Sequence, residues 1–188
     1  MSHRFNPKHL HKLESPERRK ALPPDEILGL FGTPGDGDAN FADVGCGPGY
    51  FTIPLAKRTT GKVYALDVSS EMLNVLTERV QEANVTNVEN VLSNAEQIAL
   101  PDHSVDGVLC SLVLHEVDDL KQTLSEFRRV LRPGGKMLLI EWEKKQMEMG
   151  PPVEIRISSD ELLEYVSAEG LQGQIVRPNP DQYIVLAH

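Results

Sequence analysis

The chain has 188 residues, of which 28 are acidic and 19 are basic, so its formal net charge at pH 7 is −9. This charge disfavours sequence-independent binding to DNA, RNA or an anionic membrane surface, because each of those surfaces is itself negatively charged. Hydrophobic residues make up 40% of the chain, and no apolar run approaches the roughly 20 residues that a bilayer span requires. The charge therefore favours a small molecule as the partner, and the length predicts one domain whose core needs no disulfide bonds.

Residues suited to a metal site or to thiol chemistry are few. His3, His9 and His11 lie in a basic arm that offers no carboxylate or cysteine at ligand spacing, so we expect no metal site there. The two cysteines, Cys46 and Cys110, indicate no disulfide framework, which favours a cytoplasmic location. No secretory signal is expected, since the basic N-terminus lacks an apolar stretch. The oligomeric state is left open between a monomer and a homodimer.

The N-terminal segment differs in composition from the rest of the chain. It is rich in proline, lysine, arginine and histidine, and it ends in a run of turn-forming residues at 32–38. Ser15 precedes a proline and is a good helix start, and residues 25–31 could form a second short helix. We therefore predict an arm or lid of short helices at 1–38 and a single α/β domain at 39–188.

From residue 40 onward, apolar runs alternate with helical patterns. The predicted strands are 41–44, 62–67, 88–92, 105–110, 136–142, 174–177 and 183–186. The predicted helices lie between the first two strands, after Ser69 or Ser70, from Asp118 with Leu131 on its apolar face, and from a capping box at 158–161 to Gly170.

The connections between these elements predict the architecture. Strands joined by helices run parallel, whereas the short turn at 178–181 forces the last two strands to run antiparallel. The prediction is a three-layer α/β domain with a mostly parallel sheet, an antiparallel C-terminal hairpin, and a ligand crevice at the carboxyl ends of the strands.

The most informative segment is the loop after the first strand, which reads Asp43-Val44-Gly45-Cys46-Gly47-Pro48-Gly49-Tyr50-Phe51. A dinucleotide fingerprint has glycine at the first, third and sixth places of such a loop. Here Tyr50 stands at the sixth place and the third glycine comes one residue early. Asp43 adds a negative charge that repels a pyrophosphate and favours a cation. An NAD-dependent oxidoreductase is therefore disfavoured.

This loop resembles motif I of the class I S-adenosylmethionine-dependent methyltransferases, and the segments 93–96, 100–106 and 131–136 resemble later motifs of that family in the same order. The resemblance implies a Rossmann-like methyltransferase fold, S-adenosylmethionine as cofactor, S-adenosylhomocysteine as product, a small-molecule acceptor and no metal. The pattern is also similar to a compact subgroup related to the ubiquinone and arsenite enzymes. Arsenite chemistry is disfavoured, because it would need several converging cysteines.

The resemblance further implies a role for each matching residue. Asp43 would lie near the cofactor's ammonium group, and Asp67 would accept hydrogen bonds from both ribose hydroxyls. The segment 93–96 would read the adenine edge, although the family often has aspartate where Asn94 stands. The predicted cofactor-binding residues are Asp43, Gly45, Cys46, Gly47, Gly49, Asp67, Val68, Met72, Asn94, Ala95, Glu96 and Ser111.

Three of the candidate residues keep a second interpretation. His115, just beyond the fourth strand, is either a general base or a hydrogen-bonded loop histidine. Met72 could pack on the adenine, but a methionine on an apolar helix face is at least as often part of the core. Cys46 is either a thiol activated at a helix N-terminus or a small packing residue.

Two functions from different classes fit these patterns. The first is an enzyme that transfers a methyl group in line to a small molecule, with 1–31 and 143–157 as the lid. The second is an S-adenosylmethionine-binding subunit or sensor that does not methylate by itself.

Overall fold

The computed structural model describes residues 15–32 and 37–188, so the histidines at 3, 9 and 11 lie outside the described residues. The helices are α1 (Pro16–Ala21), α2 (Pro24–Gly29), α3 (Thr52–Ala56), α4 (Ser70–Glu82), α5 (Leu120–Val130) and α6 (Ser159–Ala168). The strands are β1 (Phe41–Val44), β2 (Val63–Asp67), β3 (Val88–Leu92), β4 (Val105–Ser111), β5 (Leu131–Trp142), β6 (Gly173–Asn179) and β7 (Gln182–Ala187). Two short 3₁₀ turns, Leu114–Glu116 and Val153–Ile155, complete the described elements.

The seven strands form one sheet in the order β3-β2-β1-β4-β5-β7-β6. The first five run parallel, and β7 pairs antiparallel with both β5 and β6. The predicted fold class is therefore confirmed, hairpin included. The strand order reverses between β1 and β4, and such a reversal opens a crevice at the carboxyl ends of the two strands.

The core lies on both faces of the sheet, because successive strand residues point to opposite sides. In β4, Val108 and Cys110 belong to the cluster that contains Phe127 of α5. Leu109 between them belongs to the cluster that contains Leu55 of α3. Burial on both faces explains why the central strands read as continuous apolar runs.

The two arm helices pack against the domain. Ser15 caps α1 by accepting a hydrogen bond from the backbone of Arg18 at 3.2 Å, as its position before a proline predicted. Leu22, which follows α1, and Leu28 of α2 are almost completely buried in the same cluster as Leu55. No helix in 15–32 or 37–188 is both long and apolar enough to cross a membrane.

The boundary between α5 and β5 differs from the prediction. The N-cap is Asp119, one residue after the predicted Asp118. At the other end, Leu131 has the extended dihedrals φ −76° and ψ 130° and begins β5 instead of ending the helix. Pro133 has no N–H group and disfavours helical dihedrals at Arg132, so the chain has to leave the helix before that residue. The helix ends at Val130, and Leu131 pairs with Val105 of β4.

Candidate functional site

A cavity of about 1170 Å³ opens at the carboxyl ends of β1, β2 and β4. Pockets for one small molecule commonly measure roughly 300–1,000 Å³, so this cavity is slightly larger than that range. The cavity is lined by the glycine loop, the start of α4, the turn after β4, the arm helix α1, the segment 142–155 and the tip of the C-terminal hairpin. It therefore occupies the crevice that the strand order creates.

The glycine loop is tied to the neighbouring strand. The backbone N–H groups of Gly45 and Cys46 both donate to the carbonyl oxygen of Leu66, at 2.8 and 3.0 Å. Gly45, Cys46 and Gly47 line the cavity. Burial raises the pKa of the Cys46 thiol well above its usual value, which favours the interpretation of Cys46 as a packing residue.

The first and third glycines of the loop are needed for close packing within the protein. Gly45 has φ +71° and Gly49 has φ +94°, a region that side chains rarely adopt. A Cβ on Gly45 would collide with Val113, and one on Gly49 would collide with Leu76 of α4. Gly49 does not line the cavity, so the structure gives it a packing role.

Asp67 lies at the cavity wall and joins the loop to the next helix. Its Oδ2 accepts a hydrogen bond from the backbone of Gly47 and its Oδ1 accepts one from the backbone of Ser69, both at 2.9 Å. Burial raises the pKa of this carboxyl group, against the opposing effect of those backbone donors. Each carboxylate oxygen can accept a further hydrogen bond, so Asp67 retains capacity for a ligand.

Asp43 lies behind the loop and does not line the cavity. It is 2% exposed, and its Oδ2 accepts a hydrogen bond from the Thr52 hydroxyl at 2.6 Å. Burial raises the pKa of Asp43 to about 6, with a smaller contribution from the charge of Asp67. Its predicted position near the cofactor's ammonium group stays a prediction.

The predicted adenine-binding residues after β3 differ in whether they line the cavity. Ala95 lines the cavity, whereas Asn94 and Glu96 do not. Asn94 Oδ1 accepts a hydrogen bond from the backbone of Glu96 at 2.6 Å. Glu96 in turn accepts hydrogen bonds from the backbone of Asp118 and Asp119 just before α5. The contact of Asn94 and Glu96 with the adenine stays a prediction. In the structure, both side chains form hydrogen bonds with the backbone of the loops around them.

The other predicted residues that lie at the cavity differ in exposure. Met72 is 4% exposed and Val68 is 48% exposed, and both line the cavity. Ser111, at the end of β4, is nine-tenths buried, and its hydroxyl has no hydrogen-bond partner among the described residues. A buried hydroxyl without a partner is rare, so Ser111 marks a place where a polar ligand group fits.

The chain turns sharply after Ser111 and thereby forms one wall of the cavity. Leu112 has φ +59°, which is unusual for a side chain of its size, and its backbone N–H donates to the carbonyl of Ile140 at 2.8 Å. Strained backbone of this kind often accompanies functional sites. The turn places Val113 and His115 at the cavity.

His115 forms a buried pair with Glu141, the penultimate residue of β5. Its Nδ1 lies 2.9 Å from Glu141 Oε2 and 3.1 Å from Oε1, and Glu141 is fully buried. In this geometry a neutral His115 carries its proton on Nδ1 and donates it in a hydrogen bond to the carboxylate of Glu141, which leaves Nε2 unprotonated and able to accept a proton. Glu116 Oε1 lies 3.8 Å from Nε2. The pair was missed in the sequence, although an acid that interrupts the apolar run of β5 is a signal for it.

The environment of His115 shifts its basicity upwards. Burial is the largest influence and lowers the pKa of the imidazole, but the hydrogen bond and charge of Glu141, together with the charge of Glu116, outweigh it. The pKa of His115 therefore lies above its ordinary value of 6.5. A histidine with these partners is suited to general-base chemistry.

The segment 143–152 forms the outer wall of the cavity and is held by Arg156. Arg156 is 4% exposed, and the N–H groups of its guanidinium donate to the carbonyl oxygens of Glu143, Lys145, Met149 and Pro151 at 2.8–3.3 Å. The cavity lining from this region is mostly apolar, with Glu148 as its one charged residue; the others are Trp142, Met147, Met149, Gly150, Pro151, Pro152 and Ile155. The segment that was predicted to form part of a lid is thus a loop whose backbone carbonyl groups are bound by Arg156.

Comparisons with known proteins agree with this geometry. The family model described as "Methyltransferase domain" matches residues 42–139. A demethylmenaquinone methyltransferase from Geobacillus sp. is 40% identical over 101 residues, which is 53% of this chain and 43% of that protein. The chain thus spans less than half the length of the curated relatives it matches.

Solved structures extend the match to almost the whole chain. The crystal structure of a SAM-dependent methyltransferase from Aquifex aeolicus has a TM-score of 0.88 at 31% identity and covers 98% of both chains. The fold also matches a phosphoethanolamine N-methyltransferase from Haemonchus contortus in complex with S-adenosylmethionine, with a TM-score of 0.76 at 17% identity over 88% of this chain and 51% of that one. With a matching family model over half of its length and a relative of this identity along nearly all of it, the chain belongs to the class I S-adenosylmethionine-dependent methyltransferases.

Proposed function

We propose that the protein transfers a methyl group from S-adenosylmethionine to a small apolar acceptor whose proton is taken by His115. The observation that carries this proposal is the His115–Glu141 pair on the wall of the cavity that the glycine loop and Asp67 also line. When bound, the cofactor supplies a methyl group on a positively charged sulfur. The acceptor atom gains that methyl group and loses its proton to Nε2 of His115.

Three residues support the fit of the cofactor to this cavity. The Ser111 hydroxyl lacks a partner among the described residues, so it can bind a polar group of a ligand. Asp67 presents a carboxylate at the wall, and such a group can accept two hydroxyl hydrogen bonds. Met72 offers an apolar surface beside it. We infer that these side chains hold the adenosine part of the cofactor.

Replacing Asp67 with alanine is expected to weaken S-adenosylhomocysteine binding by at least tenfold, because charge-assisted hydrogen bonds contribute about 1.5–3 kcal/mol each. Calorimetry with S-adenosylhomocysteine and its 2′-deoxy analogue separates ligand contact from loop support. The natural protein should prefer the first ligand and Asp67→Ala should lose that preference. An unchanged preference would contradict the ribose contact.

The remaining cavity lining points to the kind of acceptor. The outer wall is mostly apolar, whereas the charged residues at the cavity include five carboxylates, those of Glu17, Asp67, Glu116, Glu148 and Asp181. This arrangement favours an acceptor that is apolar and either neutral or cationic, because an anion would be repelled. A base is needed only where the acceptor atom carries a proton that must leave, as in a hydroxylated aromatic ring.

The named activity of the Geobacillus relative suggests a first acceptor to test. We propose a reduced, hydroxylated naphthalene ring, since it is flat, apolar and able to give a proton to His115. Transfer of radiolabelled methyl from S-adenosylmethionine to 1,4-dihydroxynaphthalene measures this directly, and the same ring bearing a carboxylate is the matched control. We expect transfer to the first and much less to the second. Equal rates would contradict the charge argument, and no transfer despite cofactor binding would favour a non-catalytic binding subunit.

Replacing Arg156 with glutamine is expected to release the segment 143–152, because the shorter amide side chain cannot replace the guanidinium donors of four carbonyl groups. Trypsin cleavage after Lys144 and Lys145 should become about tenfold faster, with unchanged affinity for S-adenosylhomocysteine. Arg177→Gln is the matched control, because Arg177 is exposed and contacts Glu143 only through its side chain. Equal cleavage of the two variants would contradict the role of Arg156.

A further inference from the structure

The arm helix α1 is joined to the glycine loop through one aromatic side chain. The Tyr50 hydroxyl donates to the carbonyl oxygen of Leu22 at 2.8 Å, just beyond the end of α1. The guanidinium of Arg18 lies over the Tyr50 ring, 4.4 Å from its centroid. Arg18 is half-buried and lines the cavity, whereas its neighbour Arg19 is exposed, lies 5.8 Å from the same ring and does not line it. Tyr50 thus holds one of two adjacent arginines at the cavity.

Arg18 is set apart from the other charged groups at the cavity by its sign. Within 15–32 and 37–188, it is the one permanently cationic side chain that lines this cavity. The glycine loop beside it is flanked by Asp43 and Asp67. The contact with Tyr50 places the Arg18 guanidinium at this end of the loop, and its charge opposes the rise that burial causes in the pKa of Asp43.

We infer that Arg18 binds the carboxylate of the cofactor's amino-acid end. This inference rests on the proposed cofactor, whose amino-acid end carries an ammonium group and a carboxylate. A carboxylate next to two acidic side chains is repelled unless a cation balances it. The planar guanidinium of Arg18 matches a carboxylate through two parallel hydrogen bonds. Stacking on Tyr50 restrains the guanidinium before the ligand arrives, which reduces the entropy lost on binding.

The role of α1 follows from this contact. Arg18 belongs to the arm and lies at the wall of the crevice, so the cofactor's amino-acid end would contact both the arm and the glycine loop. A ligand that has the nucleoside but not the amino-acid end would not contact Arg18. Arg18 is therefore a cofactor-binding residue supplied by the arm.

Calorimetry with two ligands and two variants tests the inference. The ligands are S-adenosylhomocysteine and 5′-methylthioadenosine, which keeps the nucleoside and sulfur but has no amino-acid end. We expect Arg18→Gln to weaken binding of S-adenosylhomocysteine by about tenfold and to leave binding of 5′-methylthioadenosine within twofold. Arg19→Gln, the matched control on the same helix, should change neither affinity. Arg18→Lys keeps the positive charge but not the planar guanidinium with its two parallel donors, so its affinity for S-adenosylhomocysteine should lie between those of Arg18→Gln and the natural protein.

A third ligand, decarboxylated S-adenosylhomocysteine, identifies the group that Arg18 contacts. It keeps the ammonium group, so Arg18→Gln should bind it as tightly as the natural protein does. Equal weakening of all three ligands in Arg18→Gln would show a structural role of the arm and overturn the inference. Undiminished binding of S-adenosylhomocysteine would overturn it as well. Failure of the natural protein to bind any of the three ligands would instead overturn the proposed cofactor.

Discussion

Replacing His115 with alanine is expected to lower turnover by about a hundredfold or more and to leave affinity for S-adenosylhomocysteine nearly unchanged. General-base assistance typically supplies about a hundredfold to ten-thousandfold in rate, and the imidazole is held by Glu141 with Nε2 left to accept a proton. Turnover with 1,4-dihydroxynaphthalene and calorimetry with S-adenosylhomocysteine measure the two quantities separately. A fall of only a few-fold would identify His115 as a structural loop residue, and loss of cofactor binding would place it against the cofactor.

The pH dependence of the reaction tests whether Glu141 raises the pKa of His115. A base must be unprotonated to act, so kcat/KM should rise with pH through a pKa above 6.5. Glu141→Gln removes the charge that raises the pKa and leaves burial, which lowers it, so the rising limb should move to lower pH. Glu116→Gln is the matched control and should move the limb less, since Glu116 lies 3.8 Å from the ring and not 2.9 Å. A limb that stays in place in Glu141→Gln would contradict the pair.

The sheet was predictable because its signals are local. Apolar runs that end in glycine or an acid, such as those before Gly45 and at Asp67, show in the sequence where the strand ends. The short turn at 178–181 determines the direction of the last two strands. The end of α5 was less clear, since Leu131 fits the apolar face of the helix as well as the start of β5. Pro133 excludes a helical Arg132 but does not determine whether Leu131 is the last residue of the helix or the first of the strand.

The place of the cavity was predictable in the same way, because the loop after β1 stands at the carboxyl end of its strand, and Gly45, Cys46 and Gly47 line the cavity there. The His115–Glu141 contact was not, since it joins residues from two different strand ends. The position of Asp43 was also unpredictable, because its pattern match does not tell which face of the loop its carboxylate takes. Tyr50 gave only a negative signal in the sequence, yet in the structure it anchors the arm through Leu22.

Replacing Asp43 with asparagine is expected to stabilise the protein at pH 7.5 and to weaken S-adenosylhomocysteine binding. Burial raises the pKa of Asp43 from 3.8 to about 6, so the folded protein holds this proton to higher pH than the unfolded chain does. The carboxylate therefore lowers the free energy of unfolding as pH rises from about 4 to above 6, by up to about 3 kcal/mol. Asparagine stays neutral and can still accept the Thr52 hydrogen bond.

Urea denaturation at pH 4.5 and 7.5 separates this effect from a general change in packing. Asp43→Asn should gain stability over the natural protein at pH 7.5 and gain much less at pH 4.5, whereas Glu164→Gln, a change of an exposed acid on α6, should show no such difference. A charge that destabilises the protein is retained where function needs it. The variant should therefore bind S-adenosylhomocysteine several-fold more weakly, because the field of the buried carboxylate favours the ligand's ammonium group. A more stable variant with unchanged affinity would contradict that role of Asp43 and leave its charge without a function in binding.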